Sequence, residues 1–206
     1  MQAGHGFLGA VGGAGGRERA ARGGGWDAGK SISRPAGADG QAPARPGRPG
    51  AYDGGVDYLS LAEVERIARN AHAGQTDKNG HPYAEHLAAV AHGVAARGGS
   101  TEQIAAGWLH DAVEDDALTR EWLAEAALSD TTKAIVDAVT KRPGEPLEEY
   151  TARILATPGA LVVKQADLAH NSDPARLATL DPATAERLAA KYRRTRELLG
   201  LTAESD

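Results

Sequence analysis

The sequence predicts an all-α fold, a helical bundle with a polar cluster at its centre, and three observations carry that prediction. From residue 60 onward, apolar residues recur at helical spacing between cap signals. The same region is rich in Ala, and alanine faces let helices approach closely. Within these apolar runs sit His86, His110-Asp111, Glu114-Asp115, Asp167 and Asn171, side chains that a core tolerates only when they are paired or bound to a metal. About seven or eight helices are expected.

The helices follow in order. Ser60-Leu61-Ala62-Glu63 is a capping box, opening a helix with Leu61, Val64, Ile67, Ala68 and Ala71 on one face and Gly74 to end it. Asn79-Gly80-His81-Pro82 reads as a turn, with Pro82 at the start of the next helix. That helix turns Tyr83, Leu87, Val90, Ala91 and Val94 inward and stops at Gly98-Gly99. Ser100-Thr101-Glu102-Gln103, a second capping box, opens a run predicted to reach Ala117, with Ile104, Ala105, Trp108, Leu109, Ala112 and Val113 inward. Thr119 caps a short helix holding Trp122 and Leu123, and another helix starts near Asp130 with Ala134, Ile135, Ala138 and Val139. After a loop at 142–146, a helix covers Leu147–Ala156. The next stretch, from Thr157-Pro158 to Leu168, is ambiguous: Gly159 through Val163 also reads as a buried strand, and the Asp-x-x-His-Asn segment behind it favours helix. Asp181-Pro182 caps the last helix, whose Leu188, Tyr192 and Leu199 face inward.

Residues 1–55 differ in kind. They hold 17 of the 26 glycines and 4 of the 10 prolines, with almost no branched aliphatic residues. Such a segment buries too little apolar surface to offset the entropy of ordering, so it reads as a disordered tail or as an over-long start of the gene. Glycines interrupt its few apolar residues, which excludes a convincing signal peptide. It carries 7 basic against 4 acidic residues, leaving 16 basic and 24 acidic in the rest of the chain, a net of −8 there. An acidic globular region argues against broad binding of nucleic acid or anionic membrane. No apolar run approaches the length of a membrane span. With no cysteine there are no disulfides and no thiolate ligands, which fits a reducing cytosol and sets a cytoplasmic expectation. No pattern speaks to oligomeric state.

The polar cluster carries the chemistry. Asp111 and Asp115 lie four residues apart, as do His110 and Glu114, so on a helix each pair shares a face; Asp167 and Asn171 repeat the spacing. Two imidazoles and two carboxylates, His86, His110, Asp111 and Asp167, come from three separate segments. They suit a borderline divalent ion such as Mn²⁺, Fe²⁺ or Zn²⁺, with open positions for water and substrate oxygens. Such an ion polarises a phosphoryl oxygen and lowers the pKa of bound water. Glu114 and Asp115, one turn past the ligands, are placed to orient that water or shuttle its proton. The pattern points to metal-assisted hydrolysis.

His86, His110-Asp111 and Asp167 resemble the HD-domain metal phosphohydrolases, named for that His-Asp pair. More specifically the chain is similar to the hydrolase domain of the RelA/SpoT group and its stand-alone small relatives, which hydrolyse guanosine tetra- and pentaphosphate alarmones. The matching segments are His72-Ala-Gly74-Gln75, Gly80-His-Pro82-Tyr83-Ala-Glu-His86, Leu109-His110-Asp111-Ala-Val113-Glu114-Asp115, Val139-Thr140-Lys141 and Val163-Lys164-Gln-Ala166-Asp167-Leu-Ala-His170-Asn171. The resemblance implies an HD phosphohydrolase domain over residues 56–200, with Mn²⁺ held by His86, His110, Asp111 and Asp167. It implies Glu114 and Asp115 as the catalytic acidic pair, Asn171 as a contact to the nucleotide sugar, and Lys78, in the turn before His86, as part of the substrate loop. The implied reaction removes a 3′-pyrophosphate from a nucleotide and releases diphosphate.

The chain departs from that pattern in three places. Asp77 stands where the family usually has a basic residue that helps hold the guanine base. Leu87 replaces the usual proline after the first metal-binding His, and Leu168 replaces the usual Arg after the last metal-binding Asp. The first and third change the expected substrate contacts. With no further domain behind residue 200, a two-activity enzyme is not expected. Two other readings therefore stay open: a hydrolase of another phosphorylated nucleotide, and a non-catalytic nucleotide-binding regulatory domain, which would not need the Glu114-Asp115 pair. Among the remaining residues, His72, His81 and His92 read as surface or packing histidines, and His170 as a candidate structural partner of a ligand. Lys141, Arg142 and Lys164 read as solvent-facing, and Tyr83, Trp108 and Trp122 as core.

Overall fold

The computed structural model describes residues 57–201 together with Lys30–Ser31. The disorder expected of residues 1–55 therefore falls outside the described residues, apart from that dipeptide. It forms strand β1 (Lys30–Ser31), antiparallel to β2 (Thr76–Asp77). Everything else regular among the described residues is helical: α1 (Leu61–Ala71), α2 (Tyr83–Ala96), α3 (Thr101–Leu109), α4 (Arg120–Glu125), α5 (Asp130–Val139), α6 (Leu147–Ala156), α7 (Ala160–Asn171), α8 (Pro174–Leu177) and α9 (Pro182–Leu198). The fold is all-α.

The caps read from the sequence form. Ser60 with Glu63 and Ser100 with Gln103 make both capping boxes. Thr119 and Asp181 accept backbone N–H groups at the starts of α4 and α9, and Ser129, which was not among the expected caps, does so just before the start expected near Asp130. α7 settles the ambiguous stretch as helix. Gly159 precedes it at φ 85, a left-handed backbone conformation that favours glycine. The single-turn α8 is the one helix that periodicity missed, since four residues carry no period.

One boundary differs. The run expected to reach Ala117 leaves the α-helix after Leu109. The Ala112 N–H bonds back three residues to Leu109 O, the Leu118 N–H reaches Ala112 O, and Asp116 takes φ 55. Tight turns thus replace helix where His110 and Asp111 enter the site. The i to i+4 link from the Asp115 N–H to Asp111 O survives.

α2 lies at the centre, packed against α3 on one side and α7 on the other. The α2–α3 crossing is close at Gly107, where an added Cβ would lie 3.1 Å from Ala91 Cα. Leu87, Val90 and Val94 of α2, Ile135 and Val136 of α5, Val163 and Leu168 of α7, and Leu188 and Tyr192 of α9 form one buried core. Ala134, expected inward, is exposed, and Val136 is buried instead. This packing brings the start of α2, the end of α3 and the second half of α7 together.

Candidate functional site

Those three segments deliver four expected donors to one buried point. His86 Nε2 lies 3.2 Å from His110 Nε2. Asp111 Oδ2 stands 3.0 Å from His110 Nε2 and 3.5 Å from His86 Nε2. Asp167 Oδ1 is 3.5 Å and 3.7 Å from the same two nitrogens. The donor atoms of His86, His110 and Asp167 all fall within 4.8 Å of one another, a group able to hold a divalent metal ion. Asp111 adds an oxygen beside both imidazoles.

A surrounding layer sets the direction of each donor. His110 Nδ1 is 2.8 Å from Gly107 O; a carbonyl only accepts, so Nδ1 carries the proton and Nε2 turns its lone pair inward. His86 Nδ1 meets His170 Nδ1 at 2.8 Å. Burial, reinforced by His86, lowers the His170 pKa to about 4, so a neutral His170 can accept from His86 Nδ1–H. That leaves His86 Nε2 also facing inward. Tyr83 donates its hydroxyl to Asp111 Oδ2, and burial followed by the Asp111 charge holds the phenol well above its ordinary pKa. Asp167 accepts from Lys164 Nζ at 2.7 Å and from Asn171 Nδ2 at 2.6 Å. Burial alone would raise the Asp167 pKa, but Lys164 and the two imidazoles outweigh it and keep the carboxylate ionised. At His110 burial opposes protonation, while Asp111 and Asp167 reverse the balance and raise its pKa. A proton and a metal ion compete for such a nitrogen. Inward lone pairs beside ionised carboxylates repel one another unless a cation sits among them. The donor set fits a divalent ion.

Glu114 and Asp115 follow at half-buried positions. Glu114 Oε2 accepts the Lys141 backbone N–H at 2.9 Å. Asp115 Oδ2 accepts from Gln75 Nε2 at 3.0 Å, and Gln75 Oε1 lies 2.5 Å from His72 Nδ1.

An open cleft of about 410 Å³ reaches His86 and Asn171, with Lys78, Arg176, Leu177 and Tyr192 on its walls. Both expected substrate-contact residues, Lys78 and Asn171, therefore border it, although the Asn171 amide already donates to Asp167. Asp77 is buried and organises the loop: it accepts the N–H groups of Asn79 and His81, each at 2.9 Å, and the Arg176 guanidinium at 2.8 Å. Burial would raise its pKa, yet the two N–H groups and Arg176 hold it below the ordinary value.

Some expectations need correcting. Lys164 is buried on Asp167 rather than solvent-facing, and its place three residues before that carboxylate was the available signal. Lys141 is buried too, whereas Arg142 is exposed. Tyr83 is core, as expected, but its hydroxyl belongs to the site. His72 is buried, while His81 and His92 are exposed. Arg176 comes from α8, and no motif pointed to it.

Residues 65–151 match the family described as HD domain, a span that includes His86, His110-Asp111 and Glu114-Asp115 and stops short of Asp167. Over that span the chain is similar to HD domains. A Mycobacterium leprae protein named probable GTP pyrophosphokinase is 34% identical over 152 residues, covering 68% of this chain and 19% of that protein. A Synechocystis protein named probable guanosine-3′,5′-bis(diphosphate) 3′-pyrophosphohydrolase is 34% identical over 143 residues, covering 64% of this chain and 18% of that protein. A Vibrio cholerae protein with the name guanosine-3′,5′-bis(diphosphate) 3′-pyrophosphohydrolase is 36% identical over 91 residues, covering 41% of this chain and 13% of that protein. The chain thus spans less than a fifth of the length of these relatives. Among the described residues no helix is long and apolar enough to cross a membrane.

Proposed function

We propose that the HD domain of this chain is a cytoplasmic, Mn²⁺-dependent nucleotide phosphohydrolase, and most specifically a guanosine-3′,5′-bis(diphosphate) 3′-pyrophosphohydrolase. The observation that carries the reading is the meeting of His86, His110, Asp111 and Asp167 at one buried point, with a cleft that reaches His86 and with Glu114 and Asp115 following on the chain. The names of the Synechocystis and Vibrio cholerae relatives support the substrate. We take residues 56–200 as the functional unit.

His86, His110, Asp111 and Asp167 would hold the ion. When bound, it supplies a Lewis acid for a phosphoryl oxygen and a water of lowered pKa. The chain's own residues do the rest. Gly107 and His170 hold the two imidazoles in the tautomer that turns Nε2 inward. Tyr83 steadies Asp111, and Lys164 with Asn171 steadies Asp167. Glu114, or Asp115 beside it, takes a proton from the attacking water, whose oxygen forms the new bond to phosphorus as the 3′ P–O bond breaks. The departing 3′ oxygen takes that proton back from the carboxyl group and stays with the nucleotide as a hydroxyl, while the phosphorus carries the new oxygen away in diphosphate. Lys78, on the cleft wall, offers a cation for substrate phosphate, and Asn171 lies where a sugar hydroxyl would sit.

A second reading rests on the cleft mouth. Asp77 paired with Arg176 puts a neutralised pair on the cleft wall, which favours hydrolysis of another phosphorylated nucleotide. Incubating the purified chain and Mn²⁺ with guanosine tetraphosphate and a nucleotide panel decides between them. Diphosphate release from guanosine tetraphosphate is the expected result. Release from a different nucleotide alone supports the second reading, and no hydrolysis of any of them overturns both.

A further inference from the structure

The carboxylate assigned to proton transfer is held by a backbone group, and that backbone group is itself held from behind. α5 ends at Val139, and the last carbonyls of a helix have no partner within it. Here α6 supplies partners for four carbonyls in succession. Arg153 Nη1 donates to Asp137 O at 2.6 Å and to Ala138 O at 2.8 Å. Tyr150, one turn earlier on α6, donates its hydroxyl to Val139 O at 2.7 Å. Arg153 Nη2 donates to Thr140 O at 3.2 Å. A cation at the negative end of the α5 dipole is favourable in its own right. Glu145 accepts from the same Nη2, at 2.8 Å and 2.7 Å, and from Nε at 3.3 Å, and so fixes the plane of the fork.

Thr140 O and Lys141 N belong to the same peptide unit. Its oxygen accepts from the Arg153 guanidinium, and its N–H donates to Glu114 Oε2 at 2.9 Å. A peptide whose carbonyl bonds a cation is a stronger N–H donor, because hydrogen bonds in a chain polarise one another. Rotating that peptide would break both bonds at once.

We propose that Arg153 is a positioning residue for Glu114, acting through the 140–141 peptide, whose orientation and donor strength it sets. The inference rests on Glu114 being the acid–base group. Arg153 touches neither substrate nor any of the four inward donors. Lysine at this position keeps the charge near the end of α5 but lacks the planar fork that spans Asp137 O, Thr140 O and Glu145 together.

The test uses Arg153→Lys, Glu114→Gln and the double variant in the full chain, with Mn²⁺ present. Arg153→Lys is expected to lower kcat about 10-fold with KM and metal content unchanged, the share of one hydrogen bond to a charged group. In the Glu114→Gln background the same change should move kcat less than two-fold, because the residue it acts through is already gone. Equal losses in both backgrounds, or no loss in the single variant, overturn the proposal. A second readout does not depend on turnover. In ¹⁵N-labelled protein the Lys141 amide proton should shift upfield in both single variants. A Lys141 resonance that responds to Glu114→Gln but not to Arg153→Lys sinks the clamp. Because this readout stands even if no nucleotide is hydrolysed, failure of the functional reading is told apart from failure of the clamp.

Discussion

The floor of the site and its rim are built by different means. At the floor, His86, His110, Asp111 and Asp167 are buried, and each is held by a further group: His170, the Gly107 carbonyl, Tyr83 and Lys164. Two of the three floor segments are long helices locked through the core. The rim is a two-residue strand, a turn and the single-turn α8, joined by the Asp77–Arg176 pair. Rigid elements hold reacting groups to the tolerance that catalysis needs, whereas short connections accept change without disturbing them. On the proposed reading, the difference assigns the type of reaction to the floor and the choice of substrate to the rim.

That division can be broken in three ways, from the largest expected effect downward. His110→Ala should abolish both metal binding and turnover, because a four-donor site that loses an imidazole holds its ion far more weakly. Metal analysis and activity on the same sample check this, and retained metal would move the site away from the floor. Arg176→Ala should raise KM about 10-fold while kcat changes little, as when a binding interaction is removed equally from the ground and transition states. A fall in kcat at unchanged KM would make the rim part of the chemistry and erase the distinction.

The smallest effect is on stability. The Asp77 carboxyl is held below its ordinary 3.8, so it binds fewer protons folded than unfolded. Its contribution is fully present above that value and is lost as the pH falls through the lower folded value. Asp77→Asn should therefore destabilise the chain by about 1 kcal/mol at pH 7, and the difference should vanish in strong acid. Denaturant midpoints across that range test the sign. A gap that widens toward acid would mean that Asp77 is not the anchored anion of the rim.

Legibility in the sequence followed the same division. His86, His110, Asp111 and Asp167 were visible because costly polar residues stood at fixed spacing in apolar runs; the cap at Ser100 placed the helix that leads to His110 and Asp111, and those at Ser60, Thr119 and Asp181 placed the surrounding helices α1, α4 and α9. Local spacing could not reveal Arg176, which meets Asp77 across 99 residues. Nor could it reveal the hold of Arg153 on the end of α5, because its partners there are backbone carbonyls, which leave no mark in side-chain pattern. The helix expected through Ala117 failed for a related reason: apolar period continued, while the backbone turned out of the helix to aim His110 and Asp111. Lys164 was legible in principle, since it stands three residues before the carboxylate it neutralises, but the burial of the pair shows only in the folded chain.

The central claim is that the floor binds a metal and that Glu114 works on the substrate's water without holding that metal. Metal content and turnover of the wild type and Glu114→Gln, measured on the same preparations, test it most directly. Both proteins should carry the same amount of metal, and Glu114→Gln should turn over about 10²–10⁴-fold more slowly, the usual share of a general acid or base. A Glu114→Gln protein that binds metal normally and retains full activity would contradict the claim and pass the role to Asp115.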